Sequence, residues 1–281
     1  MEKKYALGLY EKAMPSELSW EEKLAAAKTA GFDFVEMSID ETEEKLWRLD
    51  MPDEERNRLV LAMKQAGIPI RSMCLSAHRK YALGSSDPAV CARGMEIMNK
   101  AIKLADDLGI RMIQLAGYDV YYEESTYETK KRFLKHLREA VRQAEKASVL
   151  LGFETMENEF MNTVEKAMKY VTLIGSGYLQ LYPDLGNITS AARHYQNDVL
   201  EDMELGKGHF LALHLKETAP GRYREVPYGT GHVAFEPAIR QAWALQVRRF
   251  VTEFWYTGDT DWQQELIRVN RRFSGILEKM E

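Results

Sequence analysis

The stretch Val149-Leu150-Leu151-Gly152-Phe153-Glu154 is a run of apolar residues that ends at a carboxylate. Its length and composition predict a short buried strand whose last residue faces a polar environment. Three further runs end in the same way, at 178–184 on Asp184, at 210–214 on His214 and at 249–253 on Glu253. The chain therefore has four strand-like segments, each with a metal-ligand type of side chain at its C-terminal end.

The spacing of these four residues suits a parallel sheet. Successive members are separated by 30, 30 and 39 residues (184 − 154, 214 − 184 and 253 − 214). One strand, one helix and two loops need about that length. Because parallel strands end at the same edge, we expect the four side chains to lie together. Two glutamates, one aspartate and one histidine form an oxygen-rich set that suits a divalent metal ion.

The same alternation of strand and helix extends over the rest of the chain. Three predicted helices end at glycine, the usual left-handed cap residue, and a strand follows each of Gly31, Gly67 and Gly109. We predict eight strands and eight helices, with one helix at about 198–205 after the sixth strand and a long loop from Lys216 to Ala234 after the seventh. This order predicts an α/β protein built as a (β/α)₈ TIM barrel, with residues 1–281 forming a single domain.

Composition narrows the classes of partner. The 281 residues are 45% hydrophobic with a net charge of −5, which opposes binding to nucleic acid or to an acidic membrane surface. Two cysteines do not form a disulfide framework, and we expect both to be reduced core residues. The first apolar run is too short for a signal-peptide core, and no stretch reaches transmembrane length. We therefore expect a cytoplasmic protein without a membrane partner.

Four motifs also resemble a known family. They are LSAHR at 75–79, QLAGYDVYY at 114–122, QLYPDLGN at 180–187 and HLKET at 214–218. They are similar to the L-xylulose (L-ribulose) 5-phosphate 3-epimerases, which are xylose-isomerase-like barrels and are sometimes labelled hexulose-6-phosphate isomerases. These bacterial enzymes act in L-ascorbate and pentulose breakdown. The resemblance extends over essentially the whole chain.

The resemblance implies one divalent metal ion, such as Mn²⁺, Zn²⁺, Mg²⁺ or Co²⁺, held by Glu154, Asp184, His214 and Glu253. It also implies that Glu154 and Glu253 act as acid and base. Related ketose epimerases often have a substrate-binding histidine three residues after the metal aspartate. Asn187 occupies that position here, so we expect a different contact near the substrate carbonyl.

The chemistry of epimerisation explains this set of residues. Inverting the carbon next to a ketone means removing a weakly acidic proton and stabilising an enediolate, for which a divalent ion acts as Lewis acid. A base is then needed on each face of the planar intermediate, and Glu154 and Glu253 could flank it. For the phosphate of a sugar phosphate, the cationic candidates are His78 and Arg79 after the third strand and Lys216 after the seventh.

Other readings stay open from the sequence. The same metal and bases would serve an aldose–ketose isomerase of hexulose or pentulose phosphates. A DNA-repair endonuclease of the same barrel type needs more histidines and a basic face, and the six histidines and negative charge oppose it. A non-catalytic sugar-binding protein does not require two glutamates next to one metal ion. We expect a homodimer that binds a sugar phosphate.

Overall fold

The computed structural model describes residues 3–280 and contains eight strands in one parallel sheet. The strands are β1 (Ala6–Tyr10), β2 (Phe34–Ile39), β3 (Ile70–Leu75), β4 (Met112–Ala116), β5 (Leu150–Glu154), β6 (Leu179–Leu181), β7 (Leu213–Lys216) and β8 (Arg249–Glu253). Helices follow the strands along the chain, so the structure confirms the predicted (β/α)₈ arrangement.

Ten α-helices lie within the described residues, two more than the sequence predicts. They are α1 (Trp20–Thr29), α2 (Glu43–Trp47), α3 (Asp53–Ala66), α4 (Pro88–Leu108), α5 (Tyr127–Ala147), α6 (Val164–Ile174), α7 (Leu185–Tyr195), α8 (Val199–Glu204), α9 (Phe235–Ala244) and α10 (Trp262–Leu277). None of the helices in this part of the chain has both the length and the apolar character needed to cross a bilayer.

The prediction was wrong around the sixth and seventh strands. β6 ends at Leu181, and Asp184 is the N-cap of α7, a helix that the sequence analysis missed. The Asp184 side chain accepts a hydrogen bond from the Asn187 backbone N–H, which starts the helix directly after the strand. β7 continues past His214 to Lys216, so Lys216 is a strand residue and the long loop starts after it.

The sheet closes on itself between β6 and β7. Hydrogen bonding gives the strand order β6-β5-β4-β3-β2-β1-β8-β7, which leaves these two strands at the ends. Two isolated parallel bridges, Leu181 with Phe210 and Asp184 with His214, join the two ends. One supporting hydrogen bond runs from the His214 N–H to the Pro183 carbonyl. The ring is therefore complete, but its seam is held by bridges rather than by a continuous ladder.

Side chains alternate between the outside and the inside of this ring. In β2, Val35 and Met37 belong to the large core beneath the helices, while Phe34 lies in a separate cluster inside the barrel. The other members of the interior cluster are Tyr10, Cys74, Tyr182, Ala212 and Val251. Gly8 of β1 leaves room for this packing, because a Cβ there would lie 2.4 Å from the Phe34 ring. Apolar and aromatic groups thus fill much of the barrel interior, with Phe34 and Val251 in its lower part.

The upper interior, toward the C-terminal ends of the strands, is polar instead. Glu36, Ser72, Gln114 and His214 are all fully buried there. Barrel interiors are usually packed with branched apolar side chains. Buried polar groups cost free energy unless they have partners. This half of the barrel is therefore built for binding or chemistry rather than for stability alone.

Candidate metal centre and active site

The structure brings the four strand-end residues together. Glu154 ends β5, Asp184 follows β6, His214 lies in β7 and Glu253 ends β8. Each offers one ligand atom, and these atoms all lie within 4.8 Å of one another. All four side chains are buried. The spacing argument from the sequence thus predicts the correct rim and the correct cluster.

His214 is held between two carboxylates. Its Nδ1 lies 2.9 Å from Glu253 Oε2 and 4.0 Å from Glu154 Oε1, so this nitrogen faces the cluster. Its Nε2 lies 2.5 Å from Glu36 Oε1, on the opposite side of the ring. Burial opposes the imidazolium form, but Glu36 and Glu253 together raise the pKa of His214.

The cluster contains three buried carboxyl groups, and burial disfavours their ionised form. Burial, reinforced by Glu253, raises the pKa of Glu154 to about 8. Burial also raises the pKa of Asp184 to about 7, although Lys216 opposes the rise. For Glu253 burial acts in the same direction, but Lys216 and His214 outweigh it and lower the pKa. Three buried carboxylates in one cluster therefore lack enough positive charge to be ionised together.

These residues fit a divalent cation. Asp184 Oδ2 is buried and has no hydrogen-bond partner among residues 3–280, whereas its Oδ1 accepts from Asn187. An unsatisfied buried carboxylate oxygen inside a set of carboxylates and one imidazole is the donor chemistry that hard or borderline divalent ions take. The four residues that the sequence analysis selected would hold the ion.

Lys216 contacts this cluster directly. Its Nζ lies 3.0 Å from Asn187 Oδ1 and 3.1 Å from Asp184 Oδ1, and it is buried. Burial disfavours the ammonium, but Asp184 and Glu253 more than compensate and raise the pKa of Lys216. The sequence analysis treats Lys216 as a loop cation for phosphate, whereas the structure places it in β7, beside Asp184 and Asn187.

A polar cavity of about 230 Å³ opens above the cluster. Glu154, Glu253, Asn187 and Lys216 line its floor, and Arg79 lines its wall. A larger cleft of about 420 Å³ lies alongside, shares Trp255 with the cavity, and includes none of the four cluster residues. The chemistry-bearing side chains thus belong to the smaller cavity.

The two basic candidates after β3 point in different directions. The Arg79 guanidinium lies 5.1 Å from the ring centroid of Tyr121, and its buried Nε has no hydrogen-bond partner among the described residues. His78 is buried, with Nε2 3.1 Å from the Gly94 carbonyl oxygen, and is not among the residues that line the cavity. The one-turn helix at Ala77–Arg79 separates the two side chains. The substrate-binding role of His78 stays a prediction.

Sequence reasoning missed Glu36 and Tyr182. Glu36 Oε2 accepts hydrogen bonds from the Tyr182 hydroxyl and from Ser72 Oγ, both at 2.7 Å, while its Oε1 contacts His214. A signal was present in β2, because a carboxylate in the middle of a mostly apolar strand of a parallel sheet is unusual. Lys216 also had a signal, since it is two residues from His214 and shares its inward direction.

The burial of His78 predicts a pH effect on stability. Burial lowers the pKa of His78 to about 4, although the hydrogen bond to Gly94 opposes the shift. The unfolded chain takes up this proton near pH 6.5, so this contribution to stability is complete above that pH and declines as the pH falls toward 4. Between about pH 7.5 and pH 5, we expect the free energy of unfolding of His78→Gln to fall by roughly 2 kcal/mol less than that of the wild type.

Urea unfolding at the two pH values measures this difference, with the exposed His194→Gln as the matched control. The control should keep the wild-type pH dependence. An identical pH dependence in wild type and His78→Gln would show that His78 does not titrate in this way.

Comparison with known proteins places the chain in a family. The family model for the xylose isomerase-like TIM barrel matches residues 24–271. L-ribulose-5-phosphate 3-epimerase UlaE from Escherichia coli O157:H7 is 50% identical over 236 residues, which cover 84% of this chain and 82% of that protein. The protein of the same name from Shigella flexneri matches with the same identity and coverage.

Solved structures have the same fold at lower identity. An L-ribulose 3-epimerase superposes with a TM-score of 0.80 at 20% identity, over 98% of this chain and 95% of that chain. A D-allulose 3-epimerase from Methylomonas sp. gives a TM-score of 0.80 at 15% identity, over 98% of both chains. At these identities the likeness shows the barrel alone. Together with the family match and the 50% identical relatives, it shows that the chain belongs to the xylose isomerase-like TIM barrel family and, within it, to the L-ribulose-5-phosphate 3-epimerases.

Proposed function

We propose that this chain is a metal-dependent 3-epimerase that interconverts L-ribulose 5-phosphate and L-xylulose 5-phosphate. The observation that carries the proposal is the presence of two buried glutamates, Glu154 and Glu253, in one ligand cluster at the floor of one cavity. The relatives named L-ribulose-5-phosphate 3-epimerase support the choice of substrate.

Epimerisation at C3 requires loss of the C3 proton and return of a proton to the opposite face. A divalent cation held by Glu154, Asp184, His214 and Glu253 would supply Lewis-acid polarisation of the C2 carbonyl. The protein must also exclude water, and the burial of all four side chains serves this purpose.

Glu154 and Glu253 take the roles of acid and base. They end β5 and β8, which are separated by two intervening strands, so their carboxyls approach a bound sugar from different directions. Their surroundings also differ: burial raises the pKa of Glu154, whereas Lys216 and His214 lower that of Glu253. Titratable groups with pKa values moved apart are typical of an acid–base pair. Reversing the reaction exchanges the two roles.

Lys216 and Asn187 bind the oxygens next to the reacting carbon. The Lys216 ammonium donates to Asn187 Oδ1, and the Asn187 amide donates to the Thr155 carbonyl at 2.8 Å, so both side chains are fixed. A buried cation at the cavity floor stabilises negative charge that develops on a substrate oxygen. We therefore assign Lys216 to the reacting end of the sugar rather than to its phosphate.

Arg79 binds the phosphate at the cavity wall. Its guanidinium is planar and lies near the rings of Tyr118 and Tyr121, which orient it. Its unpartnered Nε leaves a donor free for an anion. The proposal also includes a homodimer of single-domain chains (residues 1–281) in the cytoplasm. The family resemblance implies a part in L-ascorbate catabolism.

The function is tested with the purified chain and L-ribulose 5-phosphate. We expect L-xylulose 5-phosphate as product, identified by ¹³C NMR, with activity lost after EDTA dialysis and restored by Mn²⁺, Co²⁺, Zn²⁺ or Mg²⁺. Elemental analysis of protein purified without chelator should find one divalent ion per chain. An aldose product would favour the isomerase alternative, and full activity in metal-free protein would exclude the proposed mechanism.

The two-base assignment predicts the fate of the C3 hydrogen. In D₂O a two-base enzyme places solvent deuterium at C3 of the inverted product, because the proton that leaves and the proton that returns belong to different carboxyls. Single-turnover mass spectrometry measures the deuterium content at C3 of the product. Product that retains the substrate C3 hydrogen would leave one glutamate as the only base.

Glu154→Gln and Glu253→Gln should each lower the rate by about 10²–10⁴, the usual loss for a positioned acid–base group. The exposed Glu159, in the loop after β5, provides the matched control, and Glu159→Gln should keep near wild-type activity.

The phosphate assignment predicts a selective change in KM. Arg79→Ala removes the proposed phosphate contact but leaves the reacting end of the sugar untouched. We expect KM for L-ribulose 5-phosphate to rise by roughly tenfold or more, the effect of losing a charge-assisted contact, with a much smaller change for L-ribulose. Lys80→Ala, which removes an adjacent exposed cation, is the control. Equal losses on both sugars would remove Arg79 from the phosphate site.

A further inference from the structure

The two ring nitrogens of His214 contact different groups. Nδ1 faces the carboxylate cluster, 2.9 Å from Glu253 Oε2, and Nε2 faces the barrel interior, 2.5 Å from Glu36 Oε1. A nitrogen can bind a cation only through a free lone pair, so Nδ1 must be unprotonated for that purpose. Nε2 must then carry the hydrogen, and a carboxylate oxygen is the acceptor that it meets.

Glu36 is itself held in place. Its Oε2 accepts from the Tyr182 hydroxyl and from Ser72 Oγ, both at 2.7 Å, which leaves Oε1 for His214. The Tyr182 ring also packs edge-on against the imidazole, with centroids 5.2 Å apart and an interplanar angle of 78°. All four side chains are fully buried. Glu36 is thus held by two donors, Ser72 on the adjacent strand β3 and Tyr182, which follows β6.

We propose that Glu36 is a positioning residue that holds His214 in the orientation and tautomer that present Nδ1 to a divalent cation. The inference rests on the metal site of the proposed function and adds a residue that is not itself a ligand. A carboxylate that accepts the second N–H of a ligating histidine fixes the ring and makes the other nitrogen more basic. Losing such a partner typically costs about 10–100-fold in metal affinity.

Glu36→Gln is the variant that tests this role most directly. Gln has nearly the same shape, so the interior packing is kept. Its amide has one acceptor oxygen and one donor NH₂, so it cannot accept from the imidazole and both hydroxyls together. The hydroxyls of Tyr182 and Ser72 can rotate to accept instead. The negative charge next to His214 is lost in either arrangement.

The readout is the affinity of chelator-treated protein for Co²⁺, measured by calorimetric titration. We expect Glu36→Gln to raise Kd by about 10–100-fold. The matched control is Glu217→Gln, which alters another buried carboxylate, one that accepts from the Gly229 and Val233 backbone N–H groups and not from His214. The control should keep Kd within about threefold of wild type, well under the tenfold that corresponds to 1.4 kcal/mol. Wild-type affinity in a folded Glu36→Gln protein would overturn the inference.

A second measurement covers the case in which Glu36→Gln does not fold. Tyr182→Phe keeps Glu36 but removes one of its two anchoring hydroxyls, and we expect a smaller rise in Kd. Unchanged affinity in that variant would count against the network. In ¹⁵N-histidine NMR of the Zn²⁺-loaded wild type, the His214 proton should be on Nε2, and a proton on Nδ1 would overturn the assignment.

These tests are separate from the test of the function. Metal affinity and tautomer are measured without substrate. A metal-loaded wild type that does not epimerise pentulose phosphates would remove the proposed function and leave the role of Glu36 standing. An active enzyme whose metal affinity is unchanged in Glu36→Gln would remove the role of Glu36 and leave the proposed function standing.

Discussion

The burial of negative charge is the constraint on which this structure depends. Glu154, Asp184 and Glu253 lie within 4.8 Å of one another through their ligand atoms, in a region from which solvent is largely excluded. Charges at that separation interact strongly in a medium of low dielectric constant. Lys216 and His214 supply part of the compensating charge, while burial still raises the pKa values of Glu154 and Asp184. A divalent cation held by these carboxylates would offset their charge.

The fold brings this charge together through one geometric property. Parallel strands in a closed ring all end at the same rim, so four residues far apart in the chain become neighbours. The alternation of side chains extends the polar region one layer deeper, to Glu36, Ser72 and Tyr182. The lower interior, with Phe34 and Val251, is apolar and supplies the rigid support. A rigid apolar floor beneath a polar layer is a suitable arrangement for holding ligands precisely.

The sequence predicted the barrel and the convergence of Glu154, Asp184, His214 and Glu253 because both depend on local patterns. An apolar run that ends on Glu154 or Glu253 marks a strand and the direction of its end. The roles of the missed residues depend on strand register and strand length, which the sequence pattern indicates only weakly. The inward direction of Glu36 follows from the register of β2 against β1 and β3, and the environment of Lys216 follows from the length of β7. The start of α7 was hidden because Asp184 ends an apolar run, as a strand-end residue would, but is the N-cap of the helix.

The seam of the barrel has a thermodynamic consequence. β6 and β7 are joined only through isolated bridges, and one of these bridges pairs Asp184 with His214. Two of the four proposed ligands therefore lie on opposite sides of the least continuous junction in the ring. Binding of a cation by these residues would be linked to barrel closure, because an open seam would separate Asp184 from His214. The exchange of the Leu181 and Leu211 amide hydrogens, which bond across this seam, would then slow when a cation binds.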